Sequence, residues 1–193
     1  MSLDVPLRLP VRRVRATGYR GRIGLGVMLA GVFVTVMDNS IVNVAIPSIR
    51  TTLGATFAEA ELVVAGYTFI FAIGMITGGR LGDIFGHRRI FLAGFAAFTL
   101  TSALCGLAPG PHSLIVARLL QGASASLLSP QVFSLVRLSF DEGRERAAAF
   151  AVMGVVLGLG NVSGQIFGGM LLQADLLGLA WRPVSSERPD RRH

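Results

Sequence analysis

Residues 62–108 read LVVAGYTFIFAIGMITGG, RLGDIFGHRR, IFLAGFAAFTLTSALCGLA: two apolar runs, Leu62–Gly79 and Ile90–Ala108, joined by ten residues that carry nearly all the local charge. Wound as helices at about 1.5 Å per residue, each run comes close to crossing about 30 Å of hydrocarbon. Working outward, three more such runs appear: Ile23–Ile46 before the pair, and Leu114–Val136 and Ala147–Leu172 after it. The chain of 193 residues is 52% hydrophobic and only 15% charged, against about 25% charged in an ordinary soluble domain. The mean hydropathy is +0.62. A solvated shell around one core cannot be built from this material, and a disordered chain is equally excluded. The class is an all-α integral membrane protein of about five transmembrane helices.

The net charge is +7 and every basic residue is Arg. Such a balance in a soluble chain would point to nucleic acid, but here the placement points to a membrane. Arg8, Arg12, Arg13, Arg15, Arg20 and Arg22 precede the first run; Arg80, Arg88 and Arg89 lie between the second and third; Arg137, Arg144 and Arg146 lie between the fourth and fifth. The alternate connections hold only Arg50. Basic residues mark the cytoplasmic side, so the expected topology is multi-pass with the N-terminus inside. The first run is too long for the apolar part of a cleavable signal peptide and is expected to span. Three regions follow: an Arg-rich segment 1–22, transmembrane helices within 23–172 and a polar tail 173–193. Four Arg in that tail stand where the alternation predicts the outer side.

Polar residues inside the runs are few, so each calls for a reason. Asp38 lies mid-run, and at 100° per residue it shares a face with Thr35, Asn39 and Asn43. Lipid cannot solvate that face; it must meet other helices or a water-filled cavity, as a site that carries a proton or as an interhelical hydrogen bond. Arg118 opens the fourth run, with Gln121 beside it and Gly122, Ala125 and Ser129 on one small-residue face. It is either an ion buried above that small-residue groove, where another backbone can approach closely, or a side chain that snorkels to the headgroups. Pro130 is expected to bend this helix. In the fifth run Gly160, Gly164 and Gly168 recur every four residues, with Gly169 alongside, a spacing for close helix packing. The stretch Gly78–Arg89 supplies a tight turn, in which Asp83 stands between Gly79 and Gly86 ahead of Arg88 and Arg89. The lone Cys105 excludes a disulfide framework. His87, His112 and His193 are scattered, and neither a catalytic constellation, a metal cluster nor a cofactor loop can be drawn.

These residues carry a resemblance. Gly79 to Arg89, GRLGDIFGHRR, resembles the loop signature of the major facilitator superfamily. Arg118-Leu-Leu-Gln121-Gly122 is similar to that superfamily's fourth-helix proton-coupling motif, and GNVSGQIFGG, 160–169, to its fifth-helix antiporter motif. Met37 to Pro47, MDNSIVNVAIP, resembles the first-helix signature of the fourteen-helix drug:proton antiporters. The likeness covers 23 to about 184 and implies the N-terminal bundle of a major facilitator fold in a bacterial inner membrane. It implies proton-coupled efflux of amphipathic drugs, with Asp38, Arg118, Asn43 and Gln121 coupling proton and substrate. Gly79, Asp83, Gly86, Arg88 and Arg89 would gate, with Asp83 and Arg88 latching two helix bundles, and Gly160, Gly164, Gly168 and Gly169 would pack the fifth helix. The implied partners are the bilayer, a small amphipathic substrate, the proton and a second half or another chain; no cofactor, metal or nucleic acid is implied. Two positions depart from the pattern: Gln165 replaces a proline, and His87 replaces an arginine. Members are roughly twice to three times as long, with paired bundles that rock about a central site. After Val184 the pattern stops, as a broken reading frame would leave it. The alternatives are therefore a truncated fragment without transport of its own, or a metabolite permease of the same fold.

Overall fold

The computed structural model describes the backbone of residues 19–140 and 142–176, and the side chains of residues 24–140 and 142–170. The Arg-rich segment up to residue 18 and the tail from 177 lie outside the described residues. Five helices follow one another: α1, Tyr19–Thr52; α2, Phe57–Phe85; α3, His87–Gly106; α4, Pro111–Ser139; and α5, Arg144–Leu176. All five are long and apolar enough to cross a membrane. They extend past the apolar runs because helical geometry continues through the polar turns until a specific stop. Thr56 caps α2, accepting from Glu59 N while the Glu59 carboxylate accepts from Thr56 N. Gly86 alone separates α2 from α3, at φ 92°, a conformation that only glycine adopts without strain. Pro111 starts α4 at a position where no N–H is required.

The bundle is apolar outside and partly polar inside. Ile76, Leu100, Phe69 and Val155 are exposed on its outer surface, as lipid contact requires. Helix α4 is central: half of its apolar window is buried, against 17–22% for the other four. It packs extensively on α2 and α3, while α1 packs chiefly on α5; sparser contacts of α1 with α4 and α2, and of α4 with α5, join the two groups. Val32, Phe91, Leu128, Val132 and Met153 form a shared core of α1, α3, α4 and α5.

Small residues set the spacing. A Cβ on Gly122 would lie 2.5 Å from Tyr67 O, so α2 and α4 touch backbone to backbone there. Further along, Gly78 of α2 packs against Ser126 O. That is the carbonyl left without its helical partner by Pro130, which lies inside α4 without ending it. Between α5 and α1, Gly160, Gly164 and Gly168 meet Phe33 O, Met37 O and Ile41, the closest being Gly164, where a Cβ would come within 2.5 Å of Met37 O. Gly169, expected in the same seam, instead faces open space. It lies one residue, or 100°, off the stripe that its neighbour Gly168 occupies.

The seam predicts a contrast. Gly164→Ala should lower the unfolding temperature of the lipid-reconstituted chain, through overpacking worth about 1–3 kcal/mol. Gly169→Ala should leave it unchanged or raise it by up to about 1 kcal/mol through helix propensity. Thermal unfolding followed by circular dichroism measures both.

Candidate functional site

Arg118 lies two turns into α4 and is completely buried, so it does not snorkel. Burying a guanidinium in an apolar bundle is costly unless its donors and charge are met, and here each edge is engaged. Nε donates to Val63 O of α2 at 3.3 Å. Nη1 donates to Asp38 Oδ2 of α1 at 3.0 Å and to Gln121 Oε1 at 2.6 Å. Nη2 donates to Asn39 Oδ1 at 3.2 Å. The face of the group lies over the Tyr67 ring, 4.1 Å from its centroid, an arrangement favoured by the quadrupole of the ring.

The Asp38 carboxylate accepts three hydrogen bonds, from two other helices. Gln121 Nε2 donates to Oδ2 at 2.9 Å, beside the Arg118 bond, and Ser102 Oγ of α3 donates to Oδ1 at 3.0 Å. Cys105, also on α3, directs its thiol at Gln121 Oε1 from 3.4 Å. The Asp38 side chain keeps 19% of its surface exposed while Arg118 keeps none. The negative partner is thus the less enclosed of the two. No buried side-chain polar atom lacks a partner among the described residues.

Of the residues expected to couple, Asp38, Arg118 and Gln121 converge. Asn43 does not: it is exposed and donates to Asn39 O of its own helix at 2.9 Å. A face drawn 140° wide on a helical wheel is broader than the edge that α1 turns to α4. Asn39, which shares the polar face of Asp38, joins the network, and Tyr67, Ser102 and Cys105 belong to it beyond the residues that the sequence motifs mark. A Tyr, Ser or Cys within an apolar run carries no sign of which way it faces, although the polar spacing of Ser102 and Cys105 at i and i+3 is a signal that points to a shared face.

The gating residues cluster around Gly86, between α2 and α3. Asp83 is exposed and faces His87, with Nε2 3.4 Å from Oδ1, rather than Arg88. Arg88 and Arg89 are exposed, and no ion pair joins either to Asp83 among the described residues. Gly79 lies within α2, and Gly86 alone makes the turn. Its anchor is Gln131 of α4, fully buried, which donates to Gly78 O at 2.7 Å while its Oε1 meets His87 Nδ1 at 2.7 Å. Asp83 is one turn before His87 and so shares its face. Arg146 fastens the next connection, donating to Arg137 O and to Phe140 O at the end of α4.

The family model of the Major Facilitator Superfamily matches residues 28–184. Over 83% of its length the chain is 42% identical to a probable actinorhodin transporter of Streptomyces coelicolor, covering 28% of that protein. It is 45% identical over 79% of its length to a cephamycin export protein of Amycolatopsis lactamdurans, covering 30% of it. It is 41% identical over 82% of its length to a puromycin resistance protein of Streptomyces alboniger, covering 31% of it. The chain therefore spans less than a third of the length of these relatives.

The bonded pair predicts non-additivity. Arg118→Gln should destabilise the reconstituted chain by about 3–5 kcal/mol, since it strands a buried carboxylate. Adding Asp38→Asn should recover part of that loss, because the stranded charge is removed. A double-mutant cycle on unfolding temperatures measures the coupling; strictly additive losses would show that the two groups do not interact.

Proposed function

The chain belongs to the Major Facilitator Superfamily, and from that premise we propose that it is the coupling bundle of a proton-driven exporter of amphipathic small molecules. The observation that carries this reading is the Arg118–Asp38 pair with Gln121: one fixed positive charge, fully buried, beside one carboxylate that is only partly enclosed. Protonation of Asp38 neutralises half of a buried pair and so changes the balance of forces on α1 against α4, which is what coupling requires. Asn43, exposed on α1 one turn beyond Asn39, is in this reading the member of the set left free to meet the substrate. Outward transport of drug-like molecules is supported by the names of the relatives.

The N-terminus and the α2–α3 turn face the cytoplasm of a bacterial cell in this reading, in keeping with the arginines of 80–89 and 137–146. At that face Gly79, Asp83, Gly86, Arg88 and Arg89 gate against a second helix bundle. Gly160, Gly164 and Gly168 keep α5 sealed to α1. Alternating access needs two bodies that rock against each other, and these five helices form one. The export activity therefore belongs to the whole protein, with the other body supplied in the same chain or by another. The bilayer, the substrate and the proton are the partners; no cofactor is involved.

A chimera tests the reading. Residues 24–170 are placed in the matching segment of the Streptomyces alboniger puromycin resistance protein, and growth of the host in puromycin is measured. The chimera should confer resistance that a protonophore abolishes, and Phe69→Ala on the exposed face of α2 should retain it. Asp38→Asn should reduce resistance at least about tenfold, the scale of a lost coupling step worth about 1.4 kcal/mol or more. Resistance undiminished in Asp38→Asn would contradict the reading.

A further inference from the structure

The donors around Asp38 are not equivalent. Oδ2 accepts from Arg118 Nη1 and from Gln121 Nε2. Guanidinium and amide N–H groups only donate, so neither can take a hydrogen bond from a protonated Oδ2. Oδ1 accepts from the Ser102 hydroxyl, and a hydroxyl carries lone pairs as well as a proton. Ser102 also differs from five other hydroxyls within the helices. Thr35, Thr68, Thr99, Thr101 and Ser124 each donate to a carbonyl of their own helix one turn back, the usual local bond of such residues. Ser102 instead reaches across from α3 to α1. Its alternative is close at hand, since the preceding residue, Thr101, bonds to Ala97 O and Phe98 O of the same helix.

We infer that Asp38 takes its proton on Oδ1 and that Ser102 is the positioning residue that turns its hydroxyl around to receive it. The inference deepens the transport reading, in which Asp38 is the proton carrier. In the step a hydronium ion at the accessible side of Asp38 gives its proton to a lone pair of Oδ1; one O–H bond forms, one O–H bond of hydronium breaks, and water leaves. The carboxylate becomes neutral. The Ser102 O–H rotates about Cβ–Oγ away from Oδ1 to a carbonyl of α3, and its oxygen accepts the new Oδ1–H. Release of the proton reverses both movements. Arg118 and Gln121 hold Oδ2 throughout, so the ring of bonds that encloses the guanidinium survives the loss of its counter-charge. The titratable and charged groups facing this centre are Arg118 of α4, Tyr67 of α2 and Cys105 of α3. Helix α1 contributes none besides Asp38 between Gly24 and Ile49, and α5 none between Ala147 and Met170.

Infrared difference spectroscopy of the full chain in lipid, recorded as the pH is lowered, reads the acid directly through its carbonyl stretch. The wild type should show a protonated-carboxyl band that is absent from Asp38→Asn. Ser102→Thr should keep the band in place, because the hydroxyl is retained. Ser102→Ala should shift it to higher frequency, because the acid O–H has lost its acceptor. Should Ser102→Ala fail to fold, Ser102→Cys should shift it the same way by less, a thiol being a weak acceptor. A band at the wild-type position in the alanine or cysteine variant overturns the role of Ser102 while leaving Asp38 as carrier. A band that persists in Asp38→Asn overturns both this inference and the assignment of the carrier. Loss of puromycin resistance is not part of the readout, so the transport reading and the proton's location fail separately.

Discussion

A fully buried guanidinium inside a bundle whose exterior is hydrocarbon is the constraint on which the rest of this structure turns. Arg118 cannot shed its charge, and the surrounding apolar side chains cannot solvate it. Four helices therefore contribute to one network: a carbonyl and an aromatic ring from α2, a carboxylate and an amide from α1, an adjacent amide from α4 itself, and a hydroxyl and a thiol from α3 that hold the carboxylate and that amide in turn. The network closes with no buried side-chain polar atom left over among the described residues. A partly satisfied arrangement would be worse than none, and for that reason so many elements are tied to a single side chain.

The glycine contacts belong to the same arrangement. Val63 O comes within reach of Arg118 because α2 and α4 approach until Gly122 lies against the Tyr67 carbonyl. A side chain at position 122 would separate the helices and open the Nε bond together with the stacking on Tyr67. On the other side, the α5 glycines let α1 lie close to α5 while its Asp38 and Asn39 edge faces α4. Helix packing and site geometry are thus one problem, solved by small residues at the crossings and long polar residues between them. At the α2–α3 turn a second, smaller network does the same: buried Gln131 ties α4 to Gly78 of α2 and to His87 at the start of α3.

The spans are legible in the sequence because a long apolar run, in a chain with too little charge to build a solvated shell, has only a bilayer to bury it. Asp38 and Arg118 are legible because an ion within an apolar run must have a partner, and Gln121 because it stands one turn from Arg118. Direction is what the sequence does not carry. Tyr67, Ser102 and Cys105 are compatible with lipid, core or cavity, and only the packing of α2 and α3 on α4 decides. Asn43 shares an arc with Asp38 on a helical wheel yet bonds to its own helix, and Gly169 adjoins a packing stripe without belonging to it. The neighbour of Asp83 inside this bundle is likewise set by direction: His87 stands one turn further along and shares its helical face.

If the guanidinium is held by its several directed donors and not merely by its charge, a lysine at the same position cannot replace it: an ammonium group on a flexible stem cannot reach Val63 O, Asn39 and Asp38 together while stacking on Tyr67. The unfolding temperature of Arg118→Lys in lipid, set beside that of the wild type, tests this most directly. A network of directed bonds predicts a loss of stability of about 3 kcal/mol or more, the scale of a broken buried pair. A lysine variant as stable as the wild type would contradict it, showing that a positive charge alone suffices at the centre of the bundle.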